Sequence, residues 1–294
     1  MLNFLKYKKI YLSFIMITGL ASIAGLVVFG LKPGIDFTGG SILEIEYQQD
    51  RPSNQEVQDK LSGLDLGSIT IQPAGEKGFI IRTKDISEPL HQEVMQRLGA
   101  DAIKELRFES VGSVIGKELG QKTINLVLMS LFAIVFYIAL AFRKVQRPIS
   151  SWKYALSSLA SLSYDVLVTL GVFSVLGRLY NIEISIPVIA ALLTVIGSSI
   201  NNVVVVFDRI RENIIKRSAV TFEETVNKSL NETIGRCLNT SIAYLLPLFA
   251  IFFWGGDTLR YFSLALIIGI IVGTISSIFL ASSALIGWLG WKRA

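Results

Sequence analysis

Apolar residues fall into six long runs, separated by short charged stretches and by one long polar segment. The runs cover residues 10–31, 124–142, roughly 154–176, 184–207, 234–254 and 259–288. A helix needs about 20 apolar residues to cross the hydrocarbon core of a bilayer. The pattern therefore predicts an α-helical, polytopic membrane protein of six transmembrane helices, with both termini on one side. The first run follows Lys6, Lys8 and Lys9, as a secretory signal would. Its apolar stretch is about twice the length of a signal core, and no A-x-A site closes it, so it is read as a retained anchor.

The polar segment, residues 32–121, carries its own periodicities. Residues 41–47 alternate apolar and polar, as a half-buried strand does. Ser53 and Glu56 have the spacing of a capping box, and Val57, Leu61 and Leu64 continue at helical spacing. Residues 68–72 alternate again, 74–78 read as a turn and 79–82 as a strand. Ser87-Glu-Pro starts a second helix with Leu90, Val94 and Leu98 on one face, and 103–111 closes as a fourth strand. The order βαββαβ predicts a small α+β, ferredoxin-like domain between the first and second spans. His91 is read as a solvated residue on the polar side of its helix. Glu44 and Glu46 are read as solvent-facing rather than as a catalytic pair.

Charge then orients the spans. The chain of 294 residues carries a net charge of +5 and is 51% apolar and 17% charged. The loop cations cluster on one side: Lys6, Lys8 and Lys9; Arg143, Lys144, Arg147 and Lys153; Arg209, Arg211, Lys216, Arg217 and Lys228; Lys292 and Arg293. The short loops of the other side carry Arg178 and Arg260 alone. Cytoplasmic loops are the Lys/Arg-rich ones, so the basic side is read as cytoplasmic and residues 32–121 as extracytoplasmic. The predicted order is a cytoplasmic N-terminus (1–9), the first helix (10–31), the external domain (32–121), a five-helix region (122–288) with cytoplasmic loops near 143–153 and 208–233, and a cytoplasmic C-terminus (289–294). The basic charge belongs to membrane topology, not to nucleic acid. One cysteine (Cys237) and one histidine exclude an internal disulfide and a Cys- or His-rich metal cluster, and no cofactor or metal is expected.

Four polar residues violate the pattern. Asp165 lies about 12 residues past Lys153, or about 18 Å along a helix, near the bilayer midplane. A carboxyl there must be protonated, paired with a cation, or hydrogen-bonded to a neighbouring span, and ionisable groups at such depth mark function or packing. Asn201 and Asn202 lie about 9 Å inside Asp208 by the same rise. Their amides can bond across helices but cannot carry a proton. Arg236 opens the fifth run, where it either snorkels to the interface or serves the site. Gly269-Ile-Ile-Val-Gly273 permits close helix approach, and Ser276, Ser277, Ser282 and Ser283 extend that small face. Pro247 falls within the fifth run as a candidate kink. No H-E-x-x-H, G-x-S-x-G or carboxylate dyad points to an intramembrane enzyme.

Three stretches together resemble one family. Gly34-Ile-Asp-Phe-Thr-Gly-Gly40, with Asp36, Phe37, Thr38 and Gly39 inside it, resembles the signature of the SecD/SecF protein-export membrane proteins. Residues 195–213, ending in Asp208-Arg-Ile-Arg-Glu-Asn213 and including Arg209, Arg211 and Glu212, resemble that family's fourth span running into its cytoplasmic loop. Arg236-Cys-Leu-Asn-Thr-Ser241 resembles the start of its fifth span. Six spans and one small external domain match the SecF branch.

The resemblance implies a non-enzymatic accessory of protein export in the bacterial cytoplasmic membrane, with a thylakoid location open for a photosynthetic host. It implies a pseudo-symmetric, RND-like assembly with SecD, action at the SecYEG channel on translocating preproteins, use of the proton motive force, and contact with membrane lipids but not nucleic acid. It places a proton-linked polar site at Asp165, Asn202 and Arg236, with Asn201 beside it. This chain departs from the family in two places. Asn201-Asn202 stands where Asn-Asp is usual, and Tyr164-Asp165 where His-Asp is usual. Two other readings stay open: a structural accessory of the translocon without proton coupling, and an RND-type exporter of small molecules or lipids. Glycines at both ends of the external domain (Gly34, Gly39 and Gly40; Gly112, Gly116 and Gly120) make either hinges or close contacts.

Overall fold

The computed structural model describes residues 3–143 and 150–290; Lys144, Arg147, Lys292 and Arg293 lie outside the described residues. In chain order, a short turn at Phe4–Tyr7 leads into α1 (Lys8–Phe29), the one-turn helix α2 (Ile35–Thr38), β1 (Gly40–Tyr47), α3 (Asn54–Leu61), β2 (Thr70–Ala74), β3 (Gly78–Thr83), α4 (Glu88–Leu98) and β4 (Ile103–Val111). The long helices follow: α5 (Ser113–Ala141), α6 (Ser151–Tyr180), α7 (Ile186–Ile215), α8 (Phe222–Trp254) and α9 (Asp257–Ile275), which continues through a π-helical turn (Ser276–Leu280) into α10 (Ala281–Gly290). Among the described residues, six segments are long and apolar enough to cross a membrane: Phe4–Phe29, Ser113–Ala141, Ser151–Tyr180, Ile186–Ile215, Phe222–Trp254 and Leu259–Trp288. The chain divides into two compact units, Pro33–Ile124 and the paired segments Met1–Lys32 and Asn125–Ala294.

Several helices overrun their apolar runs. Hydropathy marks what lies in lipid, whereas the hydrogen-bond ladder continues until a cap stops it. In α8 the start is a reciprocal capping box: the Thr221 hydroxyl accepts the Glu224 N–H, and the Glu224 carboxylate accepts the Thr221 N–H. Arg236 consequently lies well inside α8 rather than at its opening. Pro247 is carried within the same continuous helix.

The smaller unit is built by alternation. Leu43, Ile45 and Tyr47 of β1 and Phe79 and Ile81 of β3 point to one side of an antiparallel sheet of order β2-β3-β1-β4. Register pairs Leu43 with Ile81 and Ile45 with Phe79, and a bulge interrupts the β1–β4 ladder between Glu44 and Ile45. Val57 and Leu61 of α3 and Val94 and Leu98 of α4 cover that face. Pro73 is tolerated because β2 is an edge strand. Glu44 and Glu46 point away from the core, Glu46 into solvent.

His91 corrects the sequence reading. It is buried, with its ring stacked on Phe108 of β4 at 3.8 Å, its Nδ1 3.4 Å from Glu88 Oε1 and its Nε2 3.3 Å from Glu105 Oε2. Glu88 is held below the usual carboxylate range by the hydrogen bond from Gln92, and secondarily by His91. The aromatic and carboxylate that enclose the ring come from β4, so the spacing of α4 alone carries no sign of them.

At the ends of this unit the glycines make contacts. Gly39 adopts φ +75°, and a Cβ at Gly116, in the first turn of α5, would lie 2.8 Å from Gly39 N. The Phe37 ring lies beside Gly120, and the Thr38 hydroxyl donates to the Gly34 carbonyl at 3.1 Å. The one-turn helix α2 is thereby seated on α5, with no room for a side chain at Gly116 and with the Phe37 ring against Gly120. Gly116→Ala is expected to lower stability by about 1–3 kcal/mol through overpacking. Gly235→Ala, at a helical position with open space around it, is expected to be neutral or stabilising by up to about 1 kcal/mol. Thermal unfolding of the two variants in detergent measures the contrast.

Candidate functional site

In the larger unit, small residues let the helices approach closely, and the site forms where three of them meet. A Cβ at Gly171 on α6 would collide with Ser22 of α1, and one at Gly269 on α9 would collide with Val195 of α7. One turn further along α9, a Cβ at Gly273 would collide with the Ser199 hydroxyl of α7 and sit 3.2 Å from Asp165 Oδ2. The Gly269–Gly273 pair is therefore the face by which α9 closes on α7, and its second glycine opens directly onto the Asp165 carboxyl.

Asp165 is 0% exposed. Ser276, at the start of the π-helical turn, donates to Oδ1, and Ser161 of α6 donates to Ser276 at 3.0 Å. Oδ2 and the Ser199 hydroxyl are both buried and both lack a well-formed hydrogen bond. Ser276 is still held by the regular ladder of α9, its N–H bonding to the Val272 and Gly273 carbonyls, and the π-helical turn opens after it, a deviation common at functional sites. Tyr164, next in the chain, turns the other way: its hydroxyl lies 2.6 Å from Thr18 Oγ1 on α1. The Tyr164-Asp165 doublet is thus not a pair; one member tethers α1 and the other faces α7 and α9.

The remaining candidates lie elsewhere. Asn202 is buried on α7, one turn beyond Ser199. Asn201 and Arg236 are exposed and share a cleft of about 680 Å³ at the basic end of α7. Among the described residues, no hydrogen bond or ion pair joins Asp165 to Asn201, Asn202 or Arg236. Asp208, Arg209, Arg211 and Glu212 line the same cleft. Arg209 bridges Glu232 of α8 at 2.7 Å and Glu212 at 2.5 Å, and Asn213 donates to Glu232 at 2.7 Å and to Ser229 at 2.9 Å. Arg211 sits 3.4 Å from Asp208. Arg209 and Asn213, through Glu232 and Ser229, clamp α7 to α8. Beneath them Phe142, Tyr154 and Phe207 pack ring on ring, Tyr154 at 5.2 Å from each of the others. Cys237 is buried in that core.

Comparison with known proteins assigns the family. The family model described as protein export membrane protein SecD/SecF, C-terminal, matches residues 91–291, and the SecD/SecF GG motif matches residues 24–50. The chain belongs to the SecD/SecF family. It is similar to protein translocase subunit SecF of Thermobaculum terrenum, 38% identical over 90% of this chain and 86% of that protein, and to SecF of Synechocystis, 34% identical over 89% and 84%. Protein translocase subunit SecDF of Thermus thermophilus is 35% identical over 94% of this chain and 37% of its own length. The crystal structure of that organism's SecDF, described as a translocon-associated membrane protein, superposes with a TM-score of 0.84 at 32% identity, covering 100% of this chain and 39% of that one. The GG motif is the segment that holds Gly39 and Gly40 against close neighbours, Ser113 and the Thr83 carbonyl. Gly34, Asp36 and Phe37 belong to the same turn.

Sequence reasoning named Asp165 and Gly273 separately and did not single out Ser199. The available signal was the spacing of three between Ser199 and Asn202, which sets both on one face of α7. Gly269→Ala is expected to destabilise the protein by about 1–3 kcal/mol, because Val195 must give way. Thermal unfolding in detergent, with Gly197→Ala in open space as control, checks it.

Proposed function

We propose that this chain is an accessory subunit of the Sec protein-export machinery. It acts with a SecD partner at the SecYEG channel and promotes late, proton-motive-force-linked translocation of preproteins. In this reading the termini and basic loops face the cytoplasm, and the βαββαβ unit is a ferredoxin-like domain on the far side of the bacterial cytoplasmic membrane. Family membership supports the export role. The strand order β2-β3-β1-β4 supports the ferredoxin-like assignment, and the loop cations support the orientation. The SecDF relatives, of which this chain covers 37–39%, support the SecD partnership.

The observation that carries proton linkage is the Asp165 carboxyl, buried among hydroxyls with no cation paired to it among the described residues. A carboxyl so desolvated is sensitive to its own protonation, because the charged form loses solvation that no counter-ion replaces. Asn202, an amide where the family usually has an acid, favours a second reading in which this subunit only braces the complex. The two separate in proteoliposomes that hold this chain with its SecD partner and enclose a pH-sensitive dye. Asp165→Asn is expected to reduce proton influx to the protein-free leak while assembly persists, since the amide oxygen still accepts from Ser276. Unchanged influx would leave the bracing role and remove the relay.

A further inference from the structure

The hydroxyls around Asp165 are not equivalent, and their directions decide where a proton can sit. Ser161 donates to Ser276, and Ser276 donates to Oδ1. Ser276 has one hydrogen and two acceptors in reach, Oδ1 and the Gly273 carbonyl at 3.2 Å; with that hydrogen on Oδ1, the closer of the two, Oδ1 accepts and the acid proton falls to Oδ2. Oδ2 is buried and has no well-formed partner, and the Ser199 hydroxyl, 1% exposed, is in the same condition. Both border the space that the missing Cβ of Gly273 leaves. Two orphaned buried polar atoms facing one gap are costly unless they serve each other in some state of the protein.

We propose that Ser199 is a positioning residue for the Asp165 proton, which resides on Oδ2 and is held by Ser199 across the gap that Gly273 keeps open. The inference rests on the reading of Asp165 as the proton-bearing group. In the protonated state Oδ2–H donates to Ser199 Oγ. On release, the O–H bond at Oδ2 breaks, its electron pair stays on the carboxylate and the proton leaves on a water molecule. The Ser199 hydroxyl then rotates and donates to Oδ2. A hydroxyl is the side-chain group that serves both states by rotation alone, whereas a methyl serves neither.

The surroundings leave little else to take this role. The groups facing the carboxyl are Ser161 from α6, Ser199 from α7, the Gly273 backbone from α9 and Ser276 from the π-turn. The adjacent titratable group, Tyr164, directs its hydroxyl to Thr18 on α1. No charged side chain is paired with Asp165 among the described residues.

The test is infrared spectroscopy of the full chain with its SecD partner in membranes, with ¹³C-labelled aspartate. The band lost in Asp165→Asn reports the protonated carboxyl. In Ser199→Ala that band is expected to move to higher wavenumber, since the acid loses its acceptor, and in Ser199→Thr to return toward the wild-type position. Proton influx in proteoliposomes is expected to have a displaced pH profile in Ser199→Ala and a near-native one in Ser199→Thr. An unmoved band in Ser199→Ala, or no Asp165 band at any pH, overturns the proposal. Transport separates the two levels. If Asp165→Asn abolishes influx while the Ser199→Ala band stays in place, this inference fails and the proton-linked function stands. If the band moves while influx ignores Asp165, the local assignment stands and the coupling fails.

Discussion

A buried carboxyl with no cation paired to it among the described residues is the constraint around which the helical unit is organised. A carboxyl in an apolar interior demands hydrogen bonds in place of water, and the donors must come within hydrogen-bond reach. Helices carrying large side chains on the facing sides hold their axes too far apart for serine hydroxyls to meet. The chain meets the demand with small residues at each crossing: Gly171 against Ser22, Gly269 against Val195, and Gly273 against Ser199 and Asp165. Ser276, three residues past Gly273 on the same helix face, then donates to Oδ1. Packing and electrostatics are one requirement here, since the approach that fills the interior is also what brings hydroxyls to the carboxyl.

The smaller unit is held differently. Its interior is an apolar sandwich of sheet and two helices, and its largest buried polar side chain among the described residues is His91. His91 is buried between Glu88 and Glu105 with its face on Phe108. Stacking covers the apolar ring faces, and the two carboxylates stand at its nitrogens, so the side chain is accommodated without reaching solvent. Glycine works at the ends of this unit as it does among the spans, to permit contact: Gly39 and Gly116 touch through backbone. The GG motif that marks the family is thus explained, within this unit, by close approach and by the positive φ angles of Gly39 and Gly40.

What the sequence made legible follows from which interactions are local. Strand alternation in 41–47 and the 57/61 and 94/98 helical pairs are short-range, and the elements appear where those patterns stand. Asp165 was legible because it breaks an apolar run, and Gly269-x-x-x-Gly273 because the spacing is itself a packing device. The burial of His91 was not legible, because its ring is covered by Phe108 and Glu105, from a strand reached only after α4 has ended. Nor was Ser199: a serine in a span is unremarkable until a carboxyl from α6 and a glycine from α9 arrive beside it. The starts of α5 and α8 were hidden for another reason. They lie in more polar sequence, where hydropathy is silent, and in α8 a capping box sets the boundary.

Helix α7 carries the two polar districts on different faces, and this bears on the Asn201-Asn202 doublet. Adjacent residues on a helix point about 100° apart. Asn202 shares the inward face with Ser199, and Asn201 lines the outer cleft with Arg236. The doublet therefore splits between the interior that holds Asp165 and the cleft at the helix's basic end, and an amide in place of a carboxylate has different consequences in each. On the inward face, a second acid one turn from Ser199 would add a second desolvated group to a region whose one carboxyl already lacks a paired cation. An amide there leaves Asp165 as the ionisable member of that interior. In the cleft, a neutral Asn201 leaves the electrostatics to Asp208, Arg209, Arg211, Glu212, Glu232 and Arg236. The Arg209–Glu232 clamp lies about 15 Å along the same helix from Ser199. Because α7 is continuous from Ile186 to Ile215, a rigid shift of α7 that moves Ser199 against Asp165 is carried to that clamp, where α8 follows or the ion pair yields. The single helix, not a chain of charged groups, is what connects the buried carboxyl to the cleft.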